Sequence, residues 1–323
     1  MLRISSRGMP EDFFSELKLA CNSILANKIE YDFDNISKQN SDIHFEFNYS
    51  KNRGKLPGKH NILILWEPRS VMPWQYKNRS LKKFQLIIPI SPWRAEGLGL
   101  KNWILHPVTH NENIKLSTER NKTVVMINGA KFSANRNSLY GFRRKISKEL
   151  YKCQIDYDLR GVNWKMSKLK EMRERIWSVR KELQARNIPS LKEGFSDVFY
   201  KYPEYKGEVA DKIFALSQYK YTLIIENEAD YISEKLIDAI LAKTVPIYIG
   251  PSLEKFAFLL RCVYQCEPNV KSILQILTND NSNKYLQKKK YIDELDLNEF
   301  EIFTKNYNCN KLAKITKEYL LSH

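Results

Sequence analysis

Between Ile225 and Leu236 the chain sets Glu226, Asn227, Glu228, Asp230, Tyr231, Glu234 and Lys235 close together. Carboxylate and amide side chains hydrogen-bond vicinal hydroxyls, and a lysine near a helix start neutralises a phosphate. The group suits a nucleotide that carries a sugar, although a solvated loop with a Glu/Lys helix start would read the same way. Glu67 is a second candidate. It follows the strand expected at 61–66 and precedes Pro68, which stiffens the turn, so its carboxylate is a candidate base. Taken alone, a glutamate in that position is more often structural.

These residues need elements to hold them. Residues 221–225 are apolar and β-branched without alternation, as in a strand covered on both faces of a parallel sheet. Ser233 stands where a helix cap belongs, ahead of Leu236, Ile237, Ile240 and Leu241 on one apolar face. Residues 245–249 form a second buried strand, closed by Gly250-Pro251. In an open α/β sheet, ligands bind outside the carboxyl ends of the strands, where the 226–231 loop falls.

A similar set lies upstream: a strand at 123–128, a polar loop at 129–138, a helix at 139–152 and a short apolar segment at 153–159. The first third begins with a helix at 11–25, turns polar and Asn-rich, and then gives strands at 61–66 and 84–88. Trp66, Trp74, Tyr76, Trp93 and Trp103 gather there; aromatic faces can pack on sugar rings, with core packing as the ordinary use. His106 and His110 are four apart, but Pro107 argues against a metal pair on a helix. Residues 165–186 place Met166, Leu169, Met172, Ile176, Val179 and Leu183 at helical spacing among alternating charges; such a helix could cover the site, pack between domains or contact an acidic partner. Helices are also expected at 208–218, 270–277, 283–295 and 298–320, with irregular chain at 192–206.

The 323 residues suit two domains, and 43% hydrophobic content is enough for real cores. No run is long enough to span a membrane, and the N-terminus lacks the apolar core of a signal peptide, so a cytoplasmic protein is expected. Five cysteines without CxxC spacing favour reduced core residues. A net charge of +16 suits an anionic donor and acceptor, or peripheral contact with the inner face of a membrane. No nucleic-acid signature accompanies it, and no nucleic acid partner is expected.

Asp230-Tyr231-Ile232-Ser233-Glu234-Lys235-Leu236, followed by Ala242, Thr244-Val245-Pro246 and Gly250-Pro251, resembles the signature of the α-1,3-fucosyltransferases, glycosyltransferase family 10. Residues 221–227 resemble the family's aromatic-rich strand ending in Phe-Glu-Asn, with Ile225 at the phenylalanine. Glu228 stands where serine is common and Lys243 where glycine is usual; the resemblance covers 219–256. It extends upstream to the order of Ser133-Ala134-Asn135, Arg143 to Leu150, and Asp158 with Gly161.

The resemblance implies an α/β fold in the GT-B arrangement, two Rossmann-like domains facing a central cleft. Residues 1–115 would bind the acceptor and 116–300 GDP-fucose, and a helical tail at 301–323 would pack back on the first domain. The implied reaction is transfer of L-fucose from GDP-β-L-fucose to a glycan hydroxyl with inversion, α-1,3 to a GlcNAc or Glc unit. Glu67 would be the general base. Arg143, with Arg144 as its rival, and Lys235 would offset the diphosphate charge; Asn227 and Glu234 would hold ribose hydroxyls, and Tyr231 would shape the nucleotide pocket. No cofactor or metal is expected, and Asp156 and Asp158 are the pair that would hold a divalent ion if one were used. The competing readings are an inverting transferase for another nucleotide sugar, and a basic nucleic-acid or membrane-surface protein on a degenerate transferase fold.

Overall fold

The computed structural model describes residues 2–25, 29–33, 41–49, 54–107, 114–190, 200–279 and 282–323. The chain divides into two units, Met1–Thr109 with Phe300–His323, and His110–Glu299.

The first unit runs β1 (Leu2–Arg7), α1 (Glu11–Ile24), β2 (Ile29–Phe33), β3 (Ser41–Phe47), β4 (Gly58–Leu65), a 3-10 turn (Pro73–Tyr76), α2 (Asn78–Leu81), β5 (Leu86–Pro89) and α3 (Pro92–Gly97). Its strands are all parallel in the order β2-β1-β3-β4-β5. Parallel neighbours need crossover connections. The first is α1, which opens with Glu11 and Asp12 and buries Phe13, Phe14, Leu17, Ala20 and Cys21. That spacing makes one apolar face. Ile62, Leu63, Ile64 and Leu65 of β4 are wholly buried, as expected for a central strand covered on both sides.

Three strands were not expected here. β1 and β3 look polar because paired positions carry a buried network. Ser5 Oγ and His44 Nδ1 lie 2.8 Å apart, His44 Nε2 and Glu46 Oε2 3.0 Å apart, and Arg7 Nε donates to the same Glu46 oxygen at 2.8 Å.

The second unit runs β6 (Lys122–Ile127), α4 (Tyr140–Lys152), β7 (Tyr157–Arg160), α5 (Lys168–Gln184), α6 (Lys212–Ser217), β8 (Tyr219–Ile225), α7 (Lys235–Leu241), β9 (Val245–Ile249), α8 (Ala257–Cys262), β10 (Tyr264–Gln265), α9 (Val270–Thr278) and α10 (Ser282–Glu294). These strands are also parallel, in the order β7-β6-β8-β9-β10. Numbered within its own unit, each sheet has the order 2-1-3-4-5, the doubly wound pattern whose switch point lies between its first and third strands. The helix expected over 208–218 is the shorter α6, because the Asp211 side chain accepts from Phe214 N–H and starts it there.

After a 3-10 segment (Leu297–Phe303) the chain returns to the first unit as α11 (Lys305–Leu321), which packs along α1. Lys305 pairs with Asp12 at 2.5 Å, and buried Asn308 accepts from the Leu105 N–H at 2.7 Å. Among the described residues no helix is long and apolar enough to cross a membrane. Cys21, Cys262 and Cys309 are buried, but Cys153 is exposed at the end of α4, against the expectation of a core thiol.

Candidate functional site

In the second unit the carboxyl ends of β6 and β8 meet at the switch point, and Arg143 of α4 joins them. Its Nε and Nη2 donate to the Ile225 carbonyl at 3.1 and 2.6 Å, and its Nη1 donates to the Gly129 carbonyl at 3.3 Å. Nη2 also donates to Asn227 Oδ1 at 2.9 Å. The guanidinium is buried, which lowers its pKa from the ordinary value, against the opposing influence of the Tyr140 hydroxyl and the Glu226 charge. Its fork thus holds the strand ends apart at a fixed distance and orients Asn227. Arg144 is equally buried but points elsewhere, donating to the Lys131 carbonyl at 2.7 Å with its guanidinium 4.0 Å from the Phe132 ring centre.

The loop after β8 is built inward from Glu226. Its carboxylate accepts from the Ser233 N–H at 2.9 Å and the Ser233 hydroxyl at 2.7 Å. Ser233 therefore does not cap α7, as its position had implied; it closes the loop, and Glu234 occupies the cap position. Lys235 Nζ donates to Ser233 Oγ at 2.9 Å, which ties the ammonium to the same anchor. Burial holds the Glu226 carboxyl above its ordinary value, opposed by the Lys235 charge and the two Ser233 bonds. A Cβ on Gly250 would strike the Tyr248 phenol and the Glu226 side chain, so glycine is required there by space.

Glu234 lies 3.3 Å from Lys212 Nζ and 3.8 Å from Lys235 Nζ. Burial works against the Lys212 ammonium, but Asp238 and Glu234 outweigh it and hold its pKa above the ordinary value. Tyr231 is buried, with its N–H donating to the Glu228 carbonyl. Glu226, Asn227, Glu234, Lys235 and Arg143 thus share one end of one sheet, with a net of cations and carboxylates interlocked.

Asp156 and Asp158 lie elsewhere. Asp156 precedes β7 at the amino end of the sheet, and Asp158 accepts from the Tyr219 hydroxyl and faces Lys122 at 3.5 Å. His106 packs on Trp66 with ring centres 4.9 Å apart, and His110 is outside the described residues. Among the described residues, no group of three His, Cys, Asp or Glu side chains is placed to hold a metal ion.

In the first unit Glu67 follows β4 in a turn fixed at its backbone. The Glu67 N–H donates to Asn48 Oδ1 at 2.7 Å, and its carbonyl accepts from Gln75 Nε2 at 3.0 Å and the Tyr76 hydroxyl at 2.7 Å. Tyr76 is itself held by Arg94 Nη1 at 3.0 Å. The half-buried carboxylate has no hydrogen-bond or ionic partner among the described residues. Such an arrangement fixes a carboxylate in position and leaves its oxygens available. Of the aromatic cluster, Tyr76 supports this turn, Trp66 packs against Phe13 and Phe47, and Trp74 donates to the Tyr49 carbonyl.

Sequence reasoning missed the supports Asn48, Gln75 and Arg94. It also missed Arg120, which donates to the carbonyls of Ser217, Ala242 and Lys243 and so closes the end of α7. Lys243, which stands where the resembled family usually has glycine, adopts a positive φ.

The model of glycosyltransferase family 10 (fucosyltransferase), C-terminal part, matches residues 157–318, which takes in Asn227, Tyr231, Glu234 and Lys235. A putative fucosyltransferase-like protein of Arabidopsis thaliana is 34% identical over 85 residues, 25% of this chain and 15% of that relative's length. Among solved structures, an α1,3-fucosyltransferase superposes with a TM-score of 0.55 at 15% identity, over 99% of this chain and 90% of its own. Anabaena HepE in complex with UDP and glucose reaches 0.55 at 10% identity over all of both chains. At these identities the likeness concerns the fold, and with the two doubly wound units it makes this a GT-B fold. The family match covers half of the chain, and the chain belongs to glycosyltransferase family 10, the fucosyltransferases.

Proposed function

We propose that this chain transfers L-fucose from GDP-β-L-fucose to a hydroxyl of a glycan acceptor, α-1,3 to a GlcNAc or Glc unit, with inversion at the anomeric carbon. The observation that carries the reading is the gathering of Arg143, Asn227 and Lys235 around the carboxyl end of β8, inside a family-10 sequence. The solved α1,3-fucosyltransferases with GDP and with GDP-fucose support the choice of donor.

Inversion requires one displacement, so one base and a stabilised leaving group suffice. Glu67 takes the proton of the acceptor hydroxyl as its oxygen attacks the anomeric carbon and the bond to GDP breaks. Lys235 neutralises the negative charge that grows on the diphosphate, and the buried guanidinium of Arg143 adds to the positive field. Asn227 and Glu234 take the ribose hydroxyls, and Tyr231 walls the nucleotide. The second unit is the donor-binding unit and the first binds the acceptor.

Glu67→Gln is the direct test. Transfer should fall by ~100-fold or more while GDP binding is nearly unchanged, the usual size of a lost general base. Near-normal turnover would remove Glu67 from the mechanism. A turnover screen across GDP- and UDP-sugars should show GDP-fucose preferred, and preference for a UDP-sugar would overturn the donor assignment.

A further inference from the structure

Helix α5 is turned the wrong way round for a helix of a water-soluble domain. Its buried side carries Arg175 and Glu182, 6% and 2% exposed, together with Ser178. Arg175 pairs with Glu171 at 2.9 Å and lies against the Phe132 ring, Ser178 faces the Ala134 N–H, and Glu182 accepts from Asn135 and Asn187. Apart from half-buried Val179, the apolar positions are left outside. Leu169 is 61% exposed, Leu183 57% and Trp177 48%, with Met172 and Ile176 between them and Ile188 just beyond. The spacing of 169, 172, 176 and 183 is that of one continuous stripe. It runs nearly the length of the helix, ~25 Å at 1.5 Å per residue.

The exposed charge around this stripe is mostly positive. Between residues 165 and 188 the exposed side chains include Lys165, Lys168, Lys170, Arg173, Arg180 and Arg186, and Glu174 is the exposed carboxylate among them. A two-fold pairing with a second copy would set these cations against themselves. An apolar stripe bordered by long cationic side chains, with a tryptophan beyond them, is instead the composition of a helix lying in a bilayer interface. We infer that α5 is a membrane-surface element, seated on an anionic leaflet with Leu169, Met172, Ile176 and Leu183 in the headgroup and acyl boundary. Trp177 sits at headgroup level, and the surrounding lysines and arginines contact lipid phosphates. The inference does not depend on which sugar is transferred.

The experiment is co-flotation of the full chain with vesicles of phosphatidylcholine alone and of phosphatidylcholine with phosphatidylglycerol in equal parts, followed by tryptophan emission. The chain should float with the anionic vesicles, weakly or not at all with the neutral ones, and its emission should shift to the blue on binding. Trp177→Phe should remove that shift. Ile176→Asp with Leu183→Asp, and separately Arg173→Glu with Arg180→Glu, should each lower partitioning by about 10-fold or more. Turnover of a soluble acceptor should be unchanged, since these side chains face solvent. No flotation, or flotation indifferent to both double variants, would overturn the assignment. So would a wild-type dimer that Ile176→Asp with Leu183→Asp dissociates, which would make the occupant a second copy, or binding to an acidic protein without binding to vesicles.

Discussion

Replacing Arg143 with lysine separates a positive charge from the fork that carries it. In the native protein the fork makes four hydrogen bonds, two to the Ile225 carbonyl and one each to the Gly129 carbonyl and Asn227. A lysine ammonium is a point donor on a shorter reach and cannot span strand ends on both sides of the switch point. At least two bonds from a charged group are lost, at about 1.5–3 kcal/mol each, reduced where water enters or where the bond was long, as at Gly129. A net loss of about 3 kcal/mol follows, which for a unit of this size lowers the melting temperature by ~6–12 °C. Release of Asn227 should raise KM for GDP-fucose about 10-fold, the equivalent of one lost hydrogen bond, with a smaller change in kcat. Differential scanning calorimetry and donor-saturation kinetics on the same preparation measure both. An unchanged melting temperature with a raised KM would refute the strut reasoning and make Arg143 a direct phosphate ligand. If neither moved, the residue would have no part in the site.

Lys235→Ala should weaken donor saturation and turnover together, and unaltered saturation would count against its phosphate role; on the proposed mechanism, in which lysine and arginine supply the positive charge, activity in EDTA should persist. Asn308→Leu strands the buried Leu105 N–H, at about 1–3 kcal/mol, and calorimetry should show the first unit melting lower with the second unmoved. Lys311 lies over the Trp103 ring, and burial lowers its pKa to about 8. The folded state therefore holds fewer protons than the unfolded one above that pH, so this group makes the protein more stable as pH rises from about 8 toward the ordinary lysine value. Lys311→Met should flatten that rise in wild-type-minus-variant melting curves.

The second unit was legible because its central strands are apolar without interruption: 221–225 and 245–249 announce buried parallel strands, and the loop between them displays its polar side chains. The first unit was not, since β1 and β3 bury serine, histidine, glutamate and arginine against one another, which erases the apolar run that a strand covered on both faces normally shows. Helix α5 was recognised by spacing, yet spacing does not say which face turns inward. That was decided by Glu182 and Arg175 finding partners around Phe132 and Asn135. Ser233 was misread for a related reason: a serine two residues before a helix is equally able to close a loop, and a buried carboxylate seven residues back competed successfully for its hydroxyl. Supports such as Asn48 and Arg120 act at long sequence separation, where single-sequence patterns carry no signal.

The return of α11 to the first unit bears on how the chain folds as it is made. Phe13, Phe14 and Leu17 of α1 are buried in a unit whose last helix lies beyond the whole of His110–Glu299. At ~5–20 residues per second, on the order of 10–40 s separate the synthesis of the two parts. The second unit, continuous in sequence, can therefore fold while the first still lacks a piece of its core. During that interval the older half of the chain is the one exposed to aggregation and to chaperones, and a late truncation would leave the N-terminal unit unfinished while sparing the unit that carries Arg143 and Lys235.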